Sequence, residues 1–216
     1  MRPPAIARVG PTVNALVDAA VAAGVGHVVF ASVAGAETNR VVPHHRVEVH
    51  LRESRIGHTI LRPGFFAQNL GDAYRRDIRD DDRLYLPAGD GRVAFVDVRD
   101  IGEVAAIVLA APSAHDGRGY HLTGPRAVTL AEVAMVLTEV LGRPIAYEPA
   151  TVRGHGRHLR GQGMAWAQVV VQTLLHVGLR RGDAEAVTDT LGNLLGRAAR
   201  PIDQYITDHR HLWRTR

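Results

Sequence analysis

The run His27-Val-Val-Phe-Ala-Ser-Val33 sets the strongest limit on the fold. Its apolar side chains fall on both faces of an extended segment. A half-solvated antiparallel strand would alternate, whereas a strand covered on both faces reads as a continuous apolar run. A second short run, His58-Thr-Ile-Leu61, follows and leads into a Pro63-Gly64 turn. Between them Pro43 opens a helical pattern, with Val47 and Leu51 inward and Glu48, Arg52 and Glu53 outward. Strand, helix, strand in that order predicts a parallel sheet flanked by helices, the α/β class.

The punctuation extends that pattern. Pro11 starts a helix carrying Val13, Leu16, Val17 and Ala20, and Gly24 stops it. After the Pro63-Gly64 turn an aromatic-led helix is expected from about Phe66 to Arg79, ended by Asp80-Asp-Asp82. Short strands are expected at 84–87 and 94–96. Asp100 with Glu103, and Thr129 with Glu132, both match a capping box. Strands are expected at 119–123 and 145–148, and helices alone from Thr151 onward. These signals predict one domain over residues 1–118. A smaller, mainly helical lobe over 119–216 interleaves with 84–96.

Composition removes whole classes of chemistry. The 216-residue chain has no cysteine, so disulfides and thiolate catalysis are excluded, which fits a cytoplasmic protein. All 26 basic residues are arginine. Schiff bases, a phosphate-loop lysine and a tyrosine–lysine hydride-transfer dyad are therefore excluded. The net charge is +4, but carboxylates interrupt the arginines, as in Arg75-Arg76-Asp77, so no nucleic-acid face is expected. Gln168, Gln172 and His176 break the longest apolar run, Ala165 to Leu179, into an amphipathic helix too short and polar for a membrane. The histidines complete no metal-ligand pattern, and no G-x-S-x-G nucleophile signature appears.

Several motifs share one order. They are His27 to Ala36, Val42-Pro-His-His-Arg-Val-Glu48, Thr59-Ile-Leu-Arg-Pro-Gly-Phe-Phe-Ala-Gln-Asn69, Pro87-Ala-Gly-Asp-Gly-Arg92, Phe95-Val-Asp-Val-Arg-Asp-Ile101 and Tyr120-His-Leu-Thr-Gly-Pro125. Together they resemble the NmrA-like family of atypical short-chain dehydrogenases/reductases over residues 1 to about 150. The resemblance implies a Rossmann-like sheet that binds NAD(P)(H) and a small lobe on the substrate side. It implies that Ser32 and Val33 end a strand beside the cofactor. Pro63, Gly64 and Phe65 lie at the nicotinamide end, and Phe66 and Asn69 face the substrate. His44 falls where the family carries its active lysine and Arg40 where it carries its tyrosine. His44 is thus a cofactor-side candidate able to hydrogen-bond a ribose, and no catalytic residue is assigned. On the residues alone, Pro63-Gly64 is equally a plain turn, and Phe65 and Phe66 plain core.

The chain departs from the family in one respect. No glycine-rich loop precedes the first run, and Arg2-Pro-Pro-Ala-Ile6 matches the loop after the family's fourth strand. The expected function is an NAD(P)H-dependent oxidoreductase acting on a small carbonyl or quinone-like acceptor. A non-catalytic dinucleotide-sensing regulator and a truncated gene product are the alternatives. An apolar strand at a sheet edge invites pairing, so a homo-oligomer or a protein partner is also expected.

Overall fold

The structure is a computed structural model describing residues 9–214, and the Arg2–Ile6 match lies outside the described residues. It divides into two compact units, each discontinuous in sequence. The first takes the described residues up to Gly64, then Arg99–Leu122 and Thr190–Ala198. The second takes Phe65–Val98, Thr123–Asp189 and the described residues from Ala199.

In the first unit a π-helical turn, Gly10–Asn14, leads into α1 (Ala15–Ala22), and β1 (His27–Ala31) follows. Then come α2 (Pro43–Glu53) and β2 (Gly57–Pro63). β1 and β2 are parallel, with Val29 opposite Thr59 and Ala31 opposite Leu61. Val17, Val47, Leu51 and Ile56 form a buried cluster with Val28 and Phe30 against it, covering one face of the sheet as a parallel sheet requires.

The expected helix over 66–79 is broken. A 3-10 turn at Ala67–Asn69 and a short α3 (Arg75–Asp80) replace it. Gly71, a poor helix former, lies in the break. A side chain there would meet Leu212 at 2.6 Å and the Tyr205 hydroxyl at 2.7 Å, so only glycine fits this close approach. β3 (Arg83–Leu86) and β4 (Arg92–Val93) follow, with an isolated parallel bridge from Phe66 to Val96.

The chain then forms α4 (Val98–Ala110), the short α5 (Pro112–His115) and β5 (Gly119–Leu122). β5 pairs in parallel with β2, which completes the order β1-β2-β5. The first unit therefore takes in residues beyond 118.

Asp100 is not a cap: it sits inside α4, buried, and the Arg197 guanidinium donates to it at 2.8 Å. The Val98 amide is satisfied by the Gln68 side chain at 3.2 Å.

In the second unit β6 (Val128–Thr129) pairs antiparallel with β4 and leads into α6 (Leu130–Leu141). The Thr129–Glu132 capping box is present, and Gly142 ends the helix in the left-handed region. β7 (Ala146–Pro149) pairs in parallel with β3. Helices follow: α7 (Val152–Gly161), α8 (Trp166–Arg180) and α10 (Ile202–Asp208), while α9 (Thr190–Leu195), between the last two in sequence, belongs to the first unit. Leu70, Ile78, Leu86, Phe95, Leu137, Ile206 and Trp213 belong to the core of this unit. Among the described residues no helix is long and apolar enough to cross a membrane.

Candidate functional site at the strand ends of the first unit

The carboxyl ends of β1, β2 and β5 meet the start of α2, the region where open parallel sheets take ligands. Backbone bonds extend the sheet past the strands. The Ser32 amide donates to Leu61, Ala34 to Pro63 and Gly64 to Leu122, at 2.7–3.0 Å. The Gly64 amide is thereby consumed by the sheet.

Beneath these ends lies an ionic hub. Glu48 is fully buried on α2. Its carboxylate accepts from the Ser32 hydroxyl at 2.6 Å, from Arg62 at 3.0 and 2.7 Å, and from Arg52 at 2.8 Å. Burial pushes the Glu48 carboxyl up, but the hydrogen bonds from Arg62, Ser32 and Arg52 outweigh it and hold the group below its usual value. Arg62 also lies 3.2 Å from Glu37, which is 3.1 Å from His121. Gly119 makes room for the guanidinium: a β-carbon there would stand 2.5 Å from Arg62 Nη1. The Ser32 hydroxyl is thus committed inward.

His44 differs from its neighbours. It sits in the first turn of α2 with its ring 6.2 Å from Phe30. Its Nδ1 is buried and has no hydrogen-bond partner. Burial lowers its pKa, and Glu48 opposes that only in part, which favours the neutral imidazole. A buried polar atom left unpaired costs free energy unless something completes it. His45, by contrast, is fixed by Ala36 carbonyl oxygen at 2.8 Å. Val33 and Pro63 lie beside this region in the chain, half-buried and buried respectively.

Phe65, Phe66 and Asn69 belong to the second unit. The Phe65 carbonyl accepts from Val96 at 2.9 Å, and its ring meets Phe95 edge-on at 5.6 Å. Phe66 carries the bridge to Val96, and the half-buried Asn69 closes the 3-10 turn.

Sequence reasoning missed a buried chain in this unit. Tyr74 Oη lies 2.5 Å from His176 Nε2, and His176 Nδ1 lies 3.2 Å from His155 Nε2. Its members are 102 and 21 residues apart, so no local spacing announces it. The nearest signal was the pair of polar interruptions that His176 and Gln172 make in an apolar helix. Among the described residues no His, Asp or Glu cluster would hold a metal.

The NAD(P)(H) implied by the family can be tested against these residues. His44, half-buried in the first turn of α2 beside the strand ends, offers its ring to the nicotinamide–ribose half, while its Nδ1 is closed off from solvent. For the pyrophosphate half, among the described residues no strand runs through a glycine-rich turn into a helix start. Gly35, in the β1–α2 connection, has a positive φ and open space around its missing side chain. The residues therefore fit one half of the dinucleotide.

Comparisons with known proteins agree on one family. The chain is 34% identical over 199 residues to an NAD(P)H azoreductase from Xenophilus azovorans, covering 90% of this chain and 69% of the relative. It is 30% identical over 161 residues to an agroclavine dehydrogenase from Claviceps fusiformis, covering 73% of this chain but 55% of that enzyme. The fold superposes on an NADPH-dependent quinone oxidoreductase from Escherichia coli in complex with NADPH. That match has a TM-score of 0.81 at 25% identity and covers 92% of this chain and 70% of the other. The sequence model of the NmrA-like family matches residues 12–163, which runs from the first helical turn to the end of α7. With its Rossmann-like parallel sheet, this chain belongs to the NmrA-like family.

Proposed function

We propose that the protein is an NAD(P)H-dependent oxidoreductase that reduces a small carbonyl, quinone-like or related acceptor in the cytoplasm. The observation that carries this reading is the 34% identity to an NAD(P)H azoreductase along 90% of the chain. When bound, a reduced nicotinamide supplies the hydride, so the protein's task is to place ring and acceptor rather than to furnish a nucleophile. That division of labour suits a chain without lysine or cysteine.

In this reading each residue has a limited task. His44, held neutral by burial, accepts or donates one hydrogen bond at the ribose. Pro63 and Gly64, whose carbonyl and amide are hydrogen-bonded into the sheet, form a wall. The Glu48–Arg62–Ser32 hub touches no ligand and holds α2 in register with β1 and β2. Phe65, Phe66 and Asn69 serve the nicotinamide and acceptor side by family resemblance.

NADPH and NADH oxidation should be followed by the absorbance of the reduced nicotinamide, with a benzoquinone and an azo dye as acceptors. Acceptor-dependent oxidation that falls in Pro63→Ala and His44→Ala supports the reading. Binding of NADPH with no oxidation by any acceptor favours a sensor, and neither binding nor oxidation sinks both.

A further inference from the structure

The helix α8 has two apolar faces, and only one of them is used. Val169, Thr173, His176 and Leu179 point into the second unit and are buried. On the other side Trp166, Val170, Val171, Leu174 and Leu175 are 65, 51, 56, 65 and 62% exposed. Single exposed apolar residues are ordinary, but five in one continuous stripe mark an interaction surface. Between Trp166 and Leu179 there is no charged residue to keep this stripe in water.

We infer that the exposed face of α8 is a self-association surface that pairs with α8 of a second copy of this chain. Three observations point to that occupant. The first is shape. Trp166, Val170 and Leu174 form one ridge at a spacing of four, and Ala167, Val171 and Leu175 form a second beside it. Two such ridges with a groove between them are self-complementary under a two-fold axis. Ridges of that spacing interlock when helices cross at about 50°.

The second observation is area. At these exposures the five side chains present about 500 Å² per copy, so full cover of the stripe in a pair buries about 1,000 Å², the lower threshold for a biological interface. The third is charge. A partner chosen by charge would find nothing to read along the stripe, whereas two copies bring no like charges together at its centre. The flanking Arg160, whose guanidinium lies 5.5 Å from the Trp166 ring, and Arg180 sit at opposite ends. A crossing of about 50° splays those ends apart. This inference is independent of the catalytic reading.

Sedimentation velocity on the 216-residue chain at micromolar concentration tests it, with Leu175→Arg and Leu174→Arg as variants. Both positions are exposed, and a melting temperature close to the parent's confirms that each variant is folded. The expected result is a dimer for the parent that strengthens with salt, and a monomer for each variant. The cysteine-free chain allows a second reading. Val171→Cys, near the axis, should form a disulfide-linked dimer on mild oxidation, whereas Leu16→Cys, exposed on α1, should not. A parent that stays monomeric overturns the inference. So does a dimer that survives both arginine variants, which would place the contact elsewhere, such as the free edge of β1. Monomers throughout with a raised KM for an apolar acceptor in Leu175→Arg would overturn it too and assign the stripe to the acceptor.

Discussion

The two units bury polar groups in opposite ways. In the first, the buried polarity is ionic: Glu48 and Arg62 face each other at 2.7 Å, with Ser32 and Arg52 completing the carboxylate. In the second it is neutral: Tyr74, His176 and His155 form a hydrogen-bonded chain, and burial holds the imidazoles at about 3 and about 4. An ionic hub is costly to break on one side, because the surviving charge stays buried. A neutral imidazole chain is costly to protonate, because the new charge arrives without a counterion. The first arrangement fixes α2 against β1 and β2. The second ties α7 and α8 to Tyr74, just ahead of α3.

The largest expected effect breaks the ionic hub. Glu48→Ala removes the buried carboxylate that holds the Arg62 guanidinium, leaving only the partly exposed Glu37 beside it, and should cost about 3 kcal/mol in urea unfolding. Replacing Glu48 and Arg62 together by apolar residues should cost less than Glu48→Ala alone. A double variant no more stable than the single one would mean that the pair is not the element that matters.

The neutral chain predicts the next effect, through pH. In the unfolded chain both imidazoles titrate near 6.5, whereas in the fold they stay neutral down to about 4 and about 3. As pH falls from 6.5 toward 4 the unfolded chain takes up protons that the fold refuses, so stability falls by about 1 kcal/mol per pH unit for each imidazole. Glu48 behaves differently: its lowered pKa leaves its contribution intact above the usual carboxylate range, and the contribution is lost as pH falls from that range toward the lowered value. His27 and His44 of the first unit are also held down by burial and add to the slope. The double variant Tyr74→Phe, His176→Leu separates the sources: it should flatten the slope of the chemical-denaturation free energy against pH. An unchanged slope would move the effect to the other histidines.

Much of this contrast was legible at the level of elements and little at the level of side-chain pairing. The apolar run at 27–33, Pro43 and the Thr129–Glu132 box each act within a few residues, and the structure has β1, α2 and α6 there. Asp100 with Glu103 carried the same local pattern as Thr129 with Glu132. Asp100 is not the cap because α4 begins two residues earlier, at Val98, whose amide donates to Gln68; within the helix the Asp100 carboxylate accepts from Arg197. Ser32 matched a cofactor position by motif, yet Glu48 takes its hydroxyl, a contact that only the fold creates. Gly71, in the broken stretch at 70–74, has the same kind of surroundings: Tyr205 and Leu212, from the far end of the chain, occupy the space a side chain would need.

Two smaller predictions sharpen the comparison. Gly119→Ala places a methyl 2.5 Å from Arg62 Nη1 and should cost about 1–3 kcal/mol by displacing the guanidinium. The loss should nearly vanish in a background where Arg62 is already Ala. In the second unit, Thr129→Ala removes the α6 cap and should cost about 1 kcal/mol in thermal unfolding, with the slope unchanged above the carboxylate range, where Glu132 is ionised in both states.

The central claim is that the strand ends of the first unit hold the nicotinamide–ribose half of a reduced dinucleotide through His44. Calorimetric titration of the 216-residue chain and its His44→Ala variant with NADPH tests it most directly. The account predicts saturable binding to the parent and a loss of about five- to tenfold in the variant, the value of one hydrogen bond. No binding to the parent, or equal affinity in the two proteins, would contradict it.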